Sequence, residues 1–547
     1  MTTLTIDTPN AASHGTELGR ISTPRLRNAL YAVLLLVLVF FAVVRVRLRN
    51  VPLERDEGEY AYSGQLILQG IPPYKLAYNM KLPGTYVAYA VIMGALGETP
   101  AAIRLGLLLV NAATSFLVFL IAKRLHGPLT GVIAGCTYAL LSTRSSVLGF
   151  SGHATNFVIF FALAGILLLL QAIDSDSDNR NNLLFLISGL LLGAAFLMKQ
   201  HGALLALFGG LYLLWKLRAD PFRDLSFRAT IFAIGIALPY LLTCLILYRA
   251  GVFREFWFWT VSYGRAYASE MSPRDGLEMI RAVGPWMIRP FVIWEIAAIG
   301  LTALIWNKKV RAQAAFSVGF LIFSILGVIP GYYFRPHYFI LLLPAISLWV
   351  GVAIAATQEW LAESPTRQRL AWIPLAVFAV AFAFSVHGQH NYFFRRDPVK
   401  FVVDSNGCGD DCEGDLEVGN YLKSNASPQD QVAVLGSEPA VYFYSHLHSA
   451  TGYLYMYALT ENQPYKQRMQ QEMISEVENA KPQFVVYVDD GYSWWNLGST
   501  KEIAYLQPLQ EWVQSNYRME KLVPIKLNAE HEWGEHAAFY IFRRIAP

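Results

Sequence analysis

The chain has 547 residues, of which 54% are hydrophobic and only 15% are charged, whereas soluble domains usually carry about 25% charged residues. Residues 388–547 contain 13 Lys and Arg against 21 Asp and Glu, so the first 387 residues carry a net charge of +12. A basic apolar part joined to an acidic polar part indicates two physical environments rather than a single core. The basic residues are scattered among apolar segments, so we expect no nucleic-acid partner.

Eleven apolar segments approach the length of about 20 residues that a helix needs to cross a bilayer. They predict an all-α polytopic membrane bundle over residues 28–387, after a disordered cytoplasmic tail at 1–27. The shorter apolar stretch 83–96 predicts a helix at the membrane surface. The predicted spans are 28–44, 101–122, 129–149, 155–173, 183–198, 202–217, 229–248, 286–306, 312–330, 338–357 and 371–387.

Basic residues in the short loops predict the sidedness of the bundle, since Lys and Arg are enriched in cytoplasmic loops. Basic clusters at 123–124, 216–228 and 308–311 all fall on the side of the N-terminus. Four residues oppose this trend at the outer end of the first span: Arg45, Arg47, Arg49 and Arg55. The later loops outnumber them. We therefore expect a multi-pass plasma-membrane protein with a cytoplasmic N-terminus and long outer loops at 49–100 and 250–285.

Residues 388–547 alternate short β runs with helical stretches, which predicts a soluble α/β domain on the extracytoplasmic side. The predicted strands are 432–435, 484–488 and 538–542, and the predicted helices are 416–423, 466–479 and 502–515. Cys408 and Cys412 are close enough for a local disulfide in an oxidising compartment. A calcium loop is the less favoured alternative for the same segment; it would use Asp404, Asp410, Asp411 and Asp415.

The first outer loop holds the most informative residues. It contains Arg55-Asp-Glu-Gly-Glu-Tyr60, Gly70-Ile-Pro-Pro-Tyr74 and Asn79-Met-Lys-Leu-Pro-Gly84. Carboxylates at the mouth of a membrane bundle are costly and need partners. Candidate partners recur at other predicted outer span ends: His153, Asn156, Lys199, Gln200, His201, Arg335, His337 and Tyr338.

A carboxylate beside cationic and neutral donors can take a proton from an acceptor while the donors neutralise a departing phosphate. The plainer alternative is that each basic side chain only anchors a span end in the interface. Asp56 and Glu57 could likewise only cap a helix. The predicted co-location of these residues on one face of the membrane, together with the turn-rich spacing of the first loop, favours the functional interpretation.

These loop motifs resemble the first outer loop of the GT-C membrane glycosyltransferases. The resemblance is to bacterial relatives of protein O-mannosyltransferases and of the lipid A aminoarabinose transferase, and it covers about residues 25–390. It implies that Asp56 is catalytic and that Lys81 contacts the lipid phosphate. Met80 stands where some relatives have Glu, so no role of that Glu is carried over. Three weaker motifs point to the same family: Lys123–Gly127, Lys199-Gln200 and His337–Phe339 with Leu343-Pro344.

The resemblance implies transfer of a sugar from a polyprenyl-phosphate donor to a lipid, glycan or protein acceptor at the outer face of the membrane. No glycine-rich nucleotide loop is present to suggest a nucleotide-sugar donor. The competing hypotheses are a transporter or flippase of lipid-linked glycans and a membrane anchor for the C-terminal domain. A transporter would be expected to show internal repeats and polar sites in mid-membrane, whereas the polar residues here gather at one face.

We therefore assign candidate site residues in three groups. The catalytic candidates are Asp56 and Glu57, and the donor-phosphate candidates are Lys81, Arg335, His337 and Lys199. Further candidates are Glu59, Tyr60, His153, Asn156, Gln200, His201 and Tyr338. No metal ligand is assigned and no cofactor is certain, although a divalent cation stays open. A shared site requires Asp56, Lys81 and Arg335 to line one cavity of about 300–1,000 Å³.

Overall fold

The structure is a computed structural model that describes residues 24–174, 178–289, 291–404, 412–494, 506–525 and 537–545. Three earlier expectations therefore lie wholly or partly outside the described residues. They concern the tail up to residue 23, the disulfide partner Cys408 and the calcium-loop side chains of Asp404, Asp410 and Asp411. Cys412 is disulfide-bonded, and Cys136 and Cys244 are free thiols.

The bundle consists of helices, with a π-helix at Phe258–Tyr263 and a 3-10 helix at Pro336–Leu341. The α-helices are α1 (Pro24–Arg47), α2 (Arg55–Leu68), α3 (Gly84–Leu96), α4 (Pro100–His126), α5 (Pro128–Leu141), α6 (Ala154–Ile173), α7 (Asp178–Met198), α8 (Gly202–Lys216), α9 (Phe222–Arg249), α10 (Phe253–Trp257), α11 (Gly264–Ala268), α12 (Pro273–Met287), α13 (Phe291–Trp306), α14 (Lys308–Ala312), α15 (Ala314–Val328), α16 (Leu343–Ala362) and α17 (Ile373–His387). A helix therefore covers each predicted span, wholly or in part.

Among the described residues, seven helices are long and apolar enough to cross a membrane, or eight if the bent pair α12 and α13 is one span. The predicted count of eleven is not confirmed, because α5, α8 and α15 are apolar but have only 14 or 15 residues. The spans of α6 and α16 are 67% and 72% buried, whereas that of α9 is 17% buried. The first two are therefore central in the bundle, and α9 lies at its periphery.

The first outer loop folds into α2 and α3, and a capping box fixes where α2 begins. The Glu54 carboxylate accepts a hydrogen bond from the backbone amide of Asp56, and the Glu54 amide donates to the carboxylate of Glu57. Such reciprocal bonds satisfy donors that a helix start leaves unpaired. The cap is Glu54 rather than Asp56, so the Asp56 side chain is not needed for helix capping.

Three arginines that opposed the predicted sidedness bind protein groups. Arg45 donates to the carbonyl oxygens of Ser142 and Gly149, and Arg47 donates to two carbonyls of the segment after α17. Arg55 forms an ion pair with Glu438 at 2.8 Å. These positive charges have partners within the protein, so they do not have to face lipid headgroups. They therefore say little about which side of the membrane this span end faces.

The C-terminal part forms a small α/β domain. Its strands are β1 (Gln431–Leu435), β2 (His448–Ser449), β3 (Phe484–Asp489), β4 (Tyr517–Pro524) and β5 (Ala538–Arg544), in the sheet order β2-β1-β3-β5-β4. Strand β1 pairs in parallel with β2 and β3, and β5 pairs antiparallel with β3 and β4. Its helices, with those that lead into it, are α18 (His390–Phe394), α19 (Pro398–Asp404), α20 (Cys412–Asn425), α21 (Ala440–Ser445), α22 (Tyr457–Thr460), α23 (Lys466–Ala480) and α24 (Gln507–Asn516).

The three predicted strands and three predicted helices of this domain are present. The sequence analysis missed β2 and β4, which are the two edges of the sheet. Most residues of β4 are exposed, so its sequence carries no run of buried apolar residues by which a strand is recognised.

Helix α2 joins the bundle to the C-terminal domain. The amide of Ser449 donates to the hydroxyl of Tyr62 at 2.8 Å, and the amide of Leu53 donates to the hydroxyl of Tyr444 at 2.8 Å. A Cβ atom at Gly58 would lie 2.6 Å from Ala440, so the two parts approach too closely for any larger residue there. This contact brings residues of the C-terminal domain to the first-loop motif.

The sidedness of the two parts can be tested with single cysteines in a Cys244→Ser background. We expect Glu511→Cys, in the C-terminal domain, to react with a membrane-impermeant maleimide in intact spheroplasts. Arg311→Cys, in a basic loop, should react only after lysis, because the positive-inside rule places that loop in the cytoplasm. Both replaced residues are exposed, so accessibility to the reagent depends on the membrane. Labelling in the reverse order would overturn the topology.

Candidate active site

A cavity of about 900 Å³ lies between the bundle and the C-terminal domain. Eight of the predicted site residues line it: Asp56, Lys81, Lys199, Gln200, His201, Arg335, His337 and Tyr338. Asp56, Lys81 and Arg335 thus share one cavity of the size expected for a ligand site. The other five do not belong to the lining: Glu57, Glu59, Tyr60, His153 and Asn156.

The two carboxylate oxygens of Asp56 have different surroundings. Its Oδ1 accepts hydrogen bonds from the Lys81 ammonium at 2.9 Å and from the Tyr455 hydroxyl at 3.1 Å. Its Oδ2 lies 3.8 Å from Nδ1 of His153 and accepts no hydrogen bond from the described residues. Burial by itself would raise the pKa of Asp56, but Lys81 holds that pKa well below its usual value. Asp56 is therefore ionised, with Oδ2 available to a ligand.

Lys81 lies between two carboxylates. Its ammonium is 2.9 Å from Asp56 and 2.5 Å from Glu59, and it lies 4.6 Å from the centre of the Tyr60 ring. Burial alone would lower the pKa of Lys81, but the two carboxylates raise it well above its usual value. Lys81 therefore stays charged and pairs with both carboxylates, and its contact with the lipid phosphate stays a prediction.

Lys199 and Arg335 are the cationic groups on another part of the lining. The Lys199 ammonium lies 4.0 Å from the Tyr338 ring and 3.3 Å from Nε2 of His337, and it forms no ion pair with a described carboxylate. Burial lowers the pKa of Lys199 to about 7. Desolvation opposes the charge of Arg335, but nearby tyrosines and Asp56 raise its pKa. A bound anion would favour the charged form of Lys199, so both positions suit an anionic ligand.

His153 and His337 stack face to face, with ring centres 4.1 Å apart. Burial lowers the pKa of His153 to about 3, so it is neutral, and neither of its nitrogens has a hydrogen-bond partner among the described residues. Ligand atoms of Asp56, His153 and His337 all lie within 4.8 Å of one another, a set that could hold a metal ion. The ammonium groups of Lys81 and Lys199 border this set and weaken its attraction for a cation.

Glu57 and Asn156 support the fold instead of facing the cavity. Glu57 is fully buried and forms an ion pair with Arg104, which also donates to the carbonyl of Pro52. The amide of Gly152 donates to the same Glu57 carboxylate. Asn156 donates to backbone carbonyls next to its own helix start. The geometry therefore argues against the predicted catalytic role of Glu57, because its carboxylate already binds Arg104 and the amide of Gly152.

The sequence analysis missed the residues that the C-terminal domain contributes. Tyr455, Tyr457 and Glu461 line the cavity, and the hydroxyl of Tyr457 accepts a hydrogen bond from Arg55 at 2.7 Å. At this place the sequence shows an alternating aromatic run, Tyr453-Leu-Tyr-Met-Tyr457. That run does not indicate contact with Arg55 and Asp56, which lie about 400 residues earlier in the chain. Glu54 also lines the cavity, and burial, reinforced by nearby carboxylates, raises its pKa to about 8.

The chain is similar to known proteins in sequence and in fold. The family model of dolichyl-phosphate-mannose-protein mannosyltransferase matches residues 83–248. The crystal structure of ArnT from Cupriavidus metallidurans bound to undecaprenyl phosphate aligns with 95% of the chain and 98% of its own, at a TM-score of 0.56 and 16% identity. The archaeal oligosaccharyltransferase AglB from Archaeoglobus fulgidus, in complex with an inhibitory peptide and a dolichol-phosphate, aligns with 84% of the chain and 70% of its own, at a TM-score of 0.50 and 11% identity. The chain therefore shares the fold of these two structures.

Curated relatives of the chain are more similar to it over a shorter stretch. The undecaprenyl phosphate-alpha-4-amino-4-deoxy-L-arabinose arabinosyl transferase of Pseudomonas aeruginosa strain UCBPP-PA14 is 27% identical over 212 residues. That stretch is 37% of this chain and 38% of the relative. The match therefore spans well under half the length of the curated relative.

Proposed function

We propose that this protein is a GT-C glycosyltransferase that moves a sugar from a polyprenyl-phosphate donor to an acceptor hydroxyl. One observation carries the proposal: an ionised carboxylate, Asp56, shares a 900 Å³ cavity with the cationic groups of Lys199 and Arg335. The names of its relatives, which include undecaprenyl-phosphate and dolichyl-phosphate enzymes, support a lipid-phosphate donor.

In the proposed reaction Asp56 acts on the acceptor, and Lys199 and Arg335 act on the donor phosphate. The acceptor hydroxyl binds to Oδ2 of Asp56, and its oxygen forms a bond to the anomeric carbon while its proton moves to Oδ2. The bond between that carbon and the phosphate oxygen breaks, and the electron pair leaves on the lipid phosphate. Lys199 and Arg335 then meet the phosphate charge. Lys81 and Tyr455 hold Oδ1, so that Oδ2 points to the acceptor.

The proposal includes an orientation. Residues 28–387 form the membrane bundle and residues 388–547 the extracytoplasmic domain, so that the cavity opens at the outer face. A donor on a lipid carrier can present its sugar there, whereas nucleotide sugars are cytoplasmic. The acceptor is a lipid, a glycan or a protein of the cell envelope.

The test is a transfer assay with the purified full chain in nanodiscs. The donors are undecaprenyl-phosphate-linked 4-amino-4-deoxy-arabinose and mannose, and the acceptor is a cell-envelope extract from cells lacking the gene. We expect release of undecaprenyl phosphate together with an acceptor whose mass increases by one sugar. The alternative, a flippase, would leave the sugar–phosphate bond intact and move the donor across proteoliposomes. Donor translocation without cleavage would therefore refute the transferase.

A further inference from the structure

Besides Asp56, four carboxylates of the described chain line the cavity and have no role in the proposed reaction, and Glu461 is one of them. Glu461 lies just after α22, is 5% exposed and lines the cavity. The hydroxyl of Tyr263 donates to its Oε2 at 2.6 Å, and no basic side chain among the described residues forms an ion pair with it. A buried carboxylate without a cationic partner is costly. A bound hydrogen-bond donor would offset that cost.

The walls around Glu461 are aromatic. Tyr263, Tyr267 and Tyr333 line the same cavity, and the rings of Tyr267 and Tyr333 stack with centres 4.6 Å apart. The hydroxyl of Tyr333 donates to Glu270 at 2.7 Å, which holds that ring in place. These rings come from the π-helix and α11 and from the turn before Arg335, whereas Glu461 comes from the C-terminal domain. The group is therefore built by three separate parts of the chain.

The cavity is lined by groups of both charges. Lys199 and Arg335 attract phosphate, whereas the carboxylate of Glu461 repels it, and Glu270, which does not line the cavity, adds negative charge nearby. Burial raises the pKa of Glu461 to about 7, and Arg335 opposes that rise. Arg335 thus lies close enough to influence both Glu461 and Asp56. A region with aromatic walls and a hydrogen-bond acceptor suits an uncharged ring that has hydroxyl groups and an apolar face.

We propose that Glu461, Tyr263, Tyr267 and Tyr333 form a carbohydrate-binding subsite. Oε1 of Glu461 accepts hydrogen bonds from ring hydroxyls, and the tyrosine rings contact the C–H face of the sugar. This inference rests on the proposed function, since it names the part of the cavity that binds the sugar. The ring belongs either to the donor or to a glycan acceptor, because both present the same chemistry.

The experiment compares lipids with and without a sugar. Binding to the purified full chain is measured for undecaprenyl phosphate and for undecaprenyl-phosphate-linked mannose and 4-amino-4-deoxy-arabinose. The KM of the envelope-extract acceptor is measured at fixed donor. The variants are Glu461→Ala and the milder Glu461→Gln. Glu472→Ala is the matched control, because Glu472 also accepts a hydrogen bond from a tyrosine, Tyr453, in the C-terminal domain but does not line the cavity.

We expect Glu461→Ala to weaken one sugar-bearing ligand by about tenfold, the size of one lost charge-assisted hydrogen bond, and Glu461→Gln to do so less. Affinity for undecaprenyl phosphate should not change. Weaker binding of the sugar-bearing lipids assigns the subsite to the donor, and a higher acceptor KM alone assigns it to the acceptor. Unchanged values for both, in either variant, would overturn the subsite, as would an equal loss of affinity for undecaprenyl phosphate. The binding measurements need no turnover, so weaker binding of the sugar-bearing lipids supports the subsite even if the transfer assay fails.

Discussion

Asp56→Asn should lower the rate of sugar transfer by about 10²–10⁴-fold, the usual effect of removing a general base. Asparagine keeps the shape of the side chain, and its oxygen can still accept hydrogen bonds from Lys81 and Tyr455. It cannot accept the acceptor proton at the position of Oδ2. The measurement is kcat in the nanodisc assay, together with the Kd for undecaprenyl phosphate, which should change little because Lys199 and Arg335 remain.

Asp224→Asn is the matched control for this substitution, since Asp224 is exposed in the first turn of α9 and should transfer sugar at the wild-type rate. Wild-type kcat in Asp56→Asn would rule out the role of Asp56. Glu54 and Glu461, two of the other carboxylates of the lining, would then be the groups to test.

Arg104→Met should destabilise the protein by about 3–5 kcal/mol, because it leaves the fully buried Glu57 carboxylate without its cationic partner. Met retains much of the length and apolar contact of the Arg stem, so the loss reports mainly the unpaired charge. The expected observation is a markedly lower midpoint of thermal unfolding in detergent, with undecaprenyl phosphate binding preserved in the folded fraction at low temperature.

Adding Glu57→Gln to Arg104→Met should recover most of that loss, since an uncharged amide can still accept the hydrogen bond from Gly152. Arg218→Met, at an exposed arginine, should leave the midpoint unchanged. If Arg104→Met matched this control, the ion pair would not contribute to stability, and Glu57 would again be a candidate for the reaction.

The opposite roles of Asp56 and Glu57 illustrate what a linear motif leaves open. Neighbouring residues on a helix point about 100° apart, so one can face a cavity while the other faces the core. The sequence contains both carboxylates but not the rotation of α2 about its axis. That rotation depends on Arg104 and Gly152, which come from other parts of the bundle.

The sequence by itself determined the features that depend on local composition. Long apolar segments predicted a helical membrane bundle, because a helix in lipid is apolar along its whole length. Short alternating runs predicted an α/β domain, because successive residues of a strand face opposite sides of the sheet. The first-loop motif singled out Asp56 and Lys81. The edge strand β4 was not predicted, because most of its residues are exposed and it therefore lacks a pattern of buried apolar residues.

Only the tertiary structure decided which groups meet. It paired Lys81 with Glu59 as well as with Asp56, and thereby moved the phosphate proposal towards Lys199 and Arg335. It also brought Tyr455 into hydrogen-bond distance of Asp56, 399 residues away in the chain. Contacts of this kind arise from the docking of the C-terminal domain on α2, and a single sequence contains no local pattern that specifies them.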